Sequence, residues 1–187
     1  MIWTFFEAAL DRADDASAAL DALTASYLPE LTEILAAVGA EEAAPLLGEA
    51  RTAAEPAERH AKLEAVLDII DPALDVYTPL TTVPVQGLGA IDDVGGPGAD
   101  FGDVARVAVL AALIDAELGS DAGMRRRRAL MAVTAMNVRF ATQKGLQSKK
   151  DRSDEFRASN RVFAKVLGLL TNDLQKRRPR FRIGRRA

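Results

Sequence analysis

Between Arg106 and Asp115 the chain reads VAVLAALI without a single charge, inside the longer run VARVAVLAALIDAEL from Val104 to Leu118. A helix made of these residues is apolar on nearly every face, so other elements must surround it. The sequence supplies candidates of the same type. It holds 35 alanines among 187 residues, mostly in runs free of proline and glycine, and alanine is the strongest helix former. The expected fold class is therefore all-α, with six or seven helices packed round a central one.

The segments before this run carry helical periodicity. Thr4 and Glu7 have capping-box spacing, and Phe6, Leu10, Ala13, Leu20, Leu23 and Tyr27 recur at steps of three, four or seven. Pro29 suits a first helical turn, Leu31, Leu35 and Val38 form a stripe, and Gly39 is placed to end it. A shorter helix is expected over 42–54 with Leu46 and Leu47. Another opens near Pro56, carries Leu63, Val66, Leu67 and Ile70, and is expected to stop before Pro72. Residues 1–71 thus read as an acidic helical bundle.

Residues 72–103 differ in character, since the stretch 71–103 holds four prolines and six glycines. This is far longer than the usual connection of about 4–6 residues and reads as a connecting or docking loop, with Val76, Tyr77, Val83 and Val85 able to form a short extended stretch. Residues 104–174 return to helix as a core with a basic face. There Gly119 ends the apolar run, Ser120 or Asp121 caps the next helix, and Ala129, Val133, Met136 and Phe140 share a side. Ser153 is placed to cap a last helix, in which Phe156, Phe163, Val166, Leu167 and Leu170 point inward. Residues 175–187, QKRRPRFRIGRRA, read as an extended basic arm.

Charge follows the same division. Residues 1–121 hold 5 Lys/Arg against 23 Asp/Glu, net −18, and residues 122–187 hold 19 against 4, net +15, which gives the chain's −3. Such asymmetry points to a charged partner, or to two halves that neutralise each other on folding.

Catalytic and metal chemistry find little support. There is no cysteine, and His60 is the only histidine, expected at the edge of a core face beside Leu63 and Leu67. A di-iron bundle needs two Glu-x-x-His motifs, and a nucleophile elbow G-x-S-x-G is missing. Asp92, Asp93, Asp100 and Asp103 do not follow EF-hand spacing, and GLGAIDDVGGPG lacks the GK[ST] ending of a phosphate loop. No enzyme, no metal and no cofactor are expected. MIWTFFEAALDRADD has no basic opening segment and no run of about 18 apolar residues exists, so neither a secretory signal nor a membrane partner is expected. The expected location is the cytoplasm or a virus-like particle.

The basic half carries the functional reading. Arg125, Arg126, Arg127 and Arg128 advance about 100° each on a helix and so face at least three directions. Arg157, Arg161 and Lys165 form a stripe at i, i+4 and i+8. In the arm, Lys176, Arg177, Arg178, Arg180, Arg182, Arg185 and Arg186 accompany Phe181 and Ile183, and Arg180 to Ile183 alternate polar with apolar as an extended segment laid on a partner does. These residues are expected to bind nucleic acid or an acidic neighbour, in a non-enzymatic structural or assembly protein within a larger particle. An alternative is a subunit of an oligomeric adaptor ring, like a viral head–tail connector, joined head to tail by acid-to-base contacts. An enzyme using clustered carboxylates is the least favoured alternative.

Overall fold

A computed structural model describes residues 3–78, 100–142 and 149–176. Among the described residues there are seven helices and no strand: α1 Thr4–Leu10, α2 Ala16–Ala37, α3 Ala43–Thr52, α4 Pro56–Asp75, α5 Phe101–Leu118, α6 Ala122–Thr142 and α7 Lys149–Lys176. The fold is all-α. None of these helices is long and apolar enough to cross a membrane.

The charge-free run is the centre of the molecule. Every residue from Val107 to Ala116 in α5 is buried, and α5 packs against α2, α4, α6 and α7. The acidic and basic halves therefore share one continuous apolar core. Both of the glycines expected to end helices do so. Gly39 and Gly119 adopt φ of +76° and +75°, a region that costs residues with a Cβ but not glycine. At the first, the Gly39 and Ala40 amides donate to the Ala36 and Leu35 carbonyls, and at the second the Gly119 and Ser120 amides donate to Ala116 and Asp115. Both are Schellman closures, which satisfy carbonyls that the helix end would leave bare.

Several boundaries differ from the sequence reading. The expected Thr4–Glu7 capping box does not form: Thr4 is already the first residue of α1, behind Trp3 as N-cap, and the Glu7 side chain is turned to α7. The chain breaks after Leu10, and Asp15 starts α2 by accepting a hydrogen bond from the Ala18 amide at 2.9 Å. Asp15→Ala should lower stability by about 1 kcal/mol, read as a shifted urea midpoint with an unchanged slope. Pro29 does stand in a first helical turn as expected: it follows by two residues a kink at Tyr27, whose φ of −137° leaves the helical region before the helix resumes. The helix that was expected to stop before Pro72 runs through it to Asp75. Pro72 falls in the last turn, and burial of Leu74 and Tyr77 just beyond holds that end in place. Likewise α7 starts at Lys149, so Ser153 is an interior residue and not a cap.

Two inward faces match expectation only in part, with Met136 on α6 and Val166 and Leu170 on α7 buried as expected. On α6 the buried hydrophobic residues are Met131, Ala132, Ala135, Met136 and Val138, while Val133 is 36% exposed, and the Phe140 side chain lies outside the described residues. On α7 the buried face runs through Glu155, Ala158, Ser159, Val162, Val166, Leu169 and Leu170, whereas Phe156 and Leu167 are exposed. Small side chains let α7 lie close to the bundle, and its bulkier residues flank that line of contact. Val83 and Val85 lie outside the described residues, as do Asp92 and Asp93.

Candidate interaction surfaces

The charged side chains divide into those consumed inside the bundle and those left at its surface. Arg128 belongs to the first group. Only 6% exposed, it bonds through Nε to the buried Asp115 of α5 and through Nη1 to Asp71 of α4 at 2.7 Å. Burial lowers its pKa, but the hydrogen bonds and charges of Asp71 and Asp115 outweigh this and hold it above the ordinary arginine value. This corrects its assignment as a partner-binding residue: its guanidinium is a tie between α4, α5 and α6. Arg125 is likewise buried, at 4%, and its Nε and Nη1 have no hydrogen-bond partner among the described residues. Arg127 is exposed. The Arg126 side chain lies outside the described residues.

The stripe on α7 meets acids of the other half. Arg161 bonds Glu7 at 2.5 and 3.2 Å, and Lys165 bonds Asp11. Arg157 lies 3.9 Å from Asp154 of its own helix, with its side chain 69% exposed. Two ion pairs at matching steps of four show that α1 and α7 run parallel. Beneath them Trp3 stacks edge-on against Phe163 at 5.4 Å and tilts against Phe6 at 5.8 Å. The hydrogen bonds from Arg161 pull the Glu7 carboxyl below its ordinary value of 4.5, against a smaller opposing effect of burial. A depressed carboxylate contributes stability above its unfolded pKa and loses it as pH falls through the folded one. Stability should therefore decline as pH drops below about 4.5, and Glu7→Gln should flatten part of that decline in urea midpoints measured across the same range.

Sequence reasoning missed the most connected cation in the acidic half. Arg59, near the start of α4, bonds Glu117 of α5 through Nε and, at 3.0 Å, through Nη2, and reaches Asp21 of α2 at 2.7 Å and the Ala50 carbonyl of α3 at 3.4 Å. Its pKa is raised, first by the hydrogen bond to Glu117. It ties four helices together. The available signal was its rarity: it is one of only five Lys/Arg before residue 122. His60, beside it, is exposed and does not sit at the edge of the core.

Among the described residues the exposed carboxylates gather on the acidic half. Glu30, Glu33, Glu41, Glu42, Glu55, Glu58, Glu64, Asp68 and Asp75 are exposed on or beside α2, α3 and α4. Residues 175–187 carry seven Lys/Arg and no acid. Within that segment the Lys176 side chain, together with Arg177, Arg178, Arg180, Phe181, Arg182, Ile183, Arg185 and Arg186, lies outside the described residues. Among the described residues no group of three or more His, Asp or Glu is placed to hold a metal ion. A small apolar cleft of about 20 Å³ opens between α5, α6 and α7, lined by Val109, Ala132, Val133, Phe163, Val166 and Leu167. No protein-family model, curated protein or solved structure matches the chain.

Proposed function

We propose that this chain is a non-enzymatic assembly protein whose basic C-terminal half engages an acidic neighbour, in the simplest case the acidic helices of another copy. One observation supports this most. After Asp71, Asp115, Glu7 and Asp11 are matched to their internal cations, α2, α3 and α4 still expose a broad set of carboxylates, and the arm still has no acid of its own. Opposite charges held at different places on one molecule favour head-to-tail association over a self-complementary dimer. A polyanion would have to approach a body whose larger part repels it, which makes an acidic protein surface the better partner.

The discriminating experiment follows a labelled duplex and a labelled single strand by anisotropy across a salt series, with sedimentation velocity of the protein alone in the same buffers. Full-length chain and a version ending at Leu174 are compared. The proposal expects salt-sensitive self-association that weakens in the truncation, with feeble binding to either nucleic acid. Tight duplex binding with a salt slope of roughly −6, lost with the arm, would replace it by the nucleic-acid reading.

A further inference from the structure

A hollow of about 290 Å³ lies where two helices end. Ala36, Ala37 and Val38 at the end of α2 form one wall, and Ala73, Val76 and Tyr77 at the end of α4 form the other. The lining is largely apolar and unusually open, with Val76 52% exposed. Tyr77 closes the floor, its ring edge-on to Phe101 at 6.3 Å.

The chain segments that line it carry one sign only. Glu33 lies on the face of α2 that bears Ala36 and Ala37, one turn earlier. Glu41 and Glu42 follow Gly39, Asp75 adjoins Val76, and all four are exposed. No Lys or Arg occurs between Ala13 and Ala50, or between Leu63 and Thr78. Two helix C-termini add the partial negative charge of their terminal carbonyls. An apolar hollow with a negative rim selects a peptide that alternates apolar side chains with cations.

The chain itself contains such a peptide. In Arg180–Phe181–Arg182–Ile183 an extended backbone puts Phe181 and Ile183 on one side and the arginines on the other, with further cations at Arg177, Arg178, Arg185 and Arg186. We propose that the hollow at the ends of α2 and α4 receives residues 180–183 of a second copy. This rests on the assembly reading above and names its receptor.

The placement of the helix ends favours the neighbour's arm over the chain's own. α7 runs parallel to α1, and Lys165 sits beside Asp11, so the last eleven residues of α7 project beyond the α1 C-terminus. Tyr27 of α2 lies against Phe5 at 5.6 Å, close to the α1 N-terminus, and the last ten residues of α2 follow its kink there. At 1.5 Å per helical residue the end of α7 stands roughly 16 Å beyond Lys165, on the side of the α1 C-terminus. From Lys176 to Phe181 the chain spans at most about 18 Å. The arm thus leaves the bundle on the side of the α1 C-terminus while α2 turns toward the hollow beside the α1 N-terminus, an arrangement that favours repeated head-to-tail contact between copies.

Sedimentation velocity on two full-length variants tests this. Ala37→Trp fills the hollow and keeps the arm, and a Phe181→Ala/Ile183→Ala double variant loses the arm and keeps the hollow. The unaltered chain should assemble beyond a monomer at low salt, roughly tenfold more weakly at physiological salt and above. Each variant alone should be monomeric. Their mixture should give a species of two copies and nothing larger, because one intact hollow and one intact arm remain. Glu33→Lys/Glu41→Lys should behave as Ala37→Trp does and decides the matter should the tryptophan disturb helix content. Assembly by both the hollow and the arm variants as strong as that of the unaltered chain overturns the hollow as receptor, while leaving salt-sensitive assembly standing. A monomer under every condition overturns both.

Discussion

Replacing Arg128 with alanine should destabilise the protein by about 3–5 kcal/mol, the largest single effect expected of any charged residue here. The loss comes from what is left behind. Asp115 is 2% exposed near the C-terminal end of the buried helix α5, and without Arg128 its carboxylate would remain buried with no cation. Asp71 is partly solvated and would suffer less. Unfolding in urea checks the size of the effect, and a second variant checks its cause. Arg128→Met/Asp115→Leu removes both charges at similar volume and should recover most of the loss, since replacing a buried pair by apolar groups is often nearly neutral. Arg125→Met should behave oppositely to Arg128→Ala. Its buried Nε and Nη1 have no partner among the described residues, so its removal should leave stability unchanged or raise it.

Leu113→Ala should cost about 2–5 kcal/mol, because Leu113 is fully buried in the helix that four others share. The value within that range reports how far α2, α4, α6 and α7 can close on the space. A helix gripped from several sides collapses poorly, which places Leu113 toward the upper end. The contrast lies in Leu130→Ala and Leu167→Ala, which are 48% and 50% exposed and should change stability by no more than about 0.5 kcal/mol. A small loss at Leu113 or a large one at Leu167 would mean that the core is not centred on α5.

These contrasts show how much the sequence disclosed. α5 was legible because nothing competes with a charge-free run of that length, and Gly39 and Gly119 were legible because their conformation excludes most other residues. The break at residues 11–15 was not, because Ala13 falls in helical phase and disguises the cap at Asp15. On α7 hydrophobicity alone picked Phe156 and Leu167, yet a helix turns inward the face that fits its neighbours, and that face is lined by Ala158, Ser159 and Val162. The arginine cluster misled in a similar way. Four adjacent cations suggested a free surface, while Asp115, directly after the charge-free run, was the sign that one of them had to come inside. The placement of each acid beside its cation, as with Glu7 and Arg161, depends on long-range packing that no local pattern encodes.

The parallel seam between α1 and α7 has a kinetic consequence. Its ion pairs join residues 154 positions apart, and the same seam covers Trp3, the only tryptophan in the chain. During synthesis Trp3 and Phe6 lack their cover until α7 has left the ribosome, since Arg161 follows Glu7 by 154 positions. Contacts of such sequence separation close late and slowly. Tryptophan emission is thus a native clock for the final step of folding, and it should lag the helical signal by far circular dichroism when refolding is followed by both.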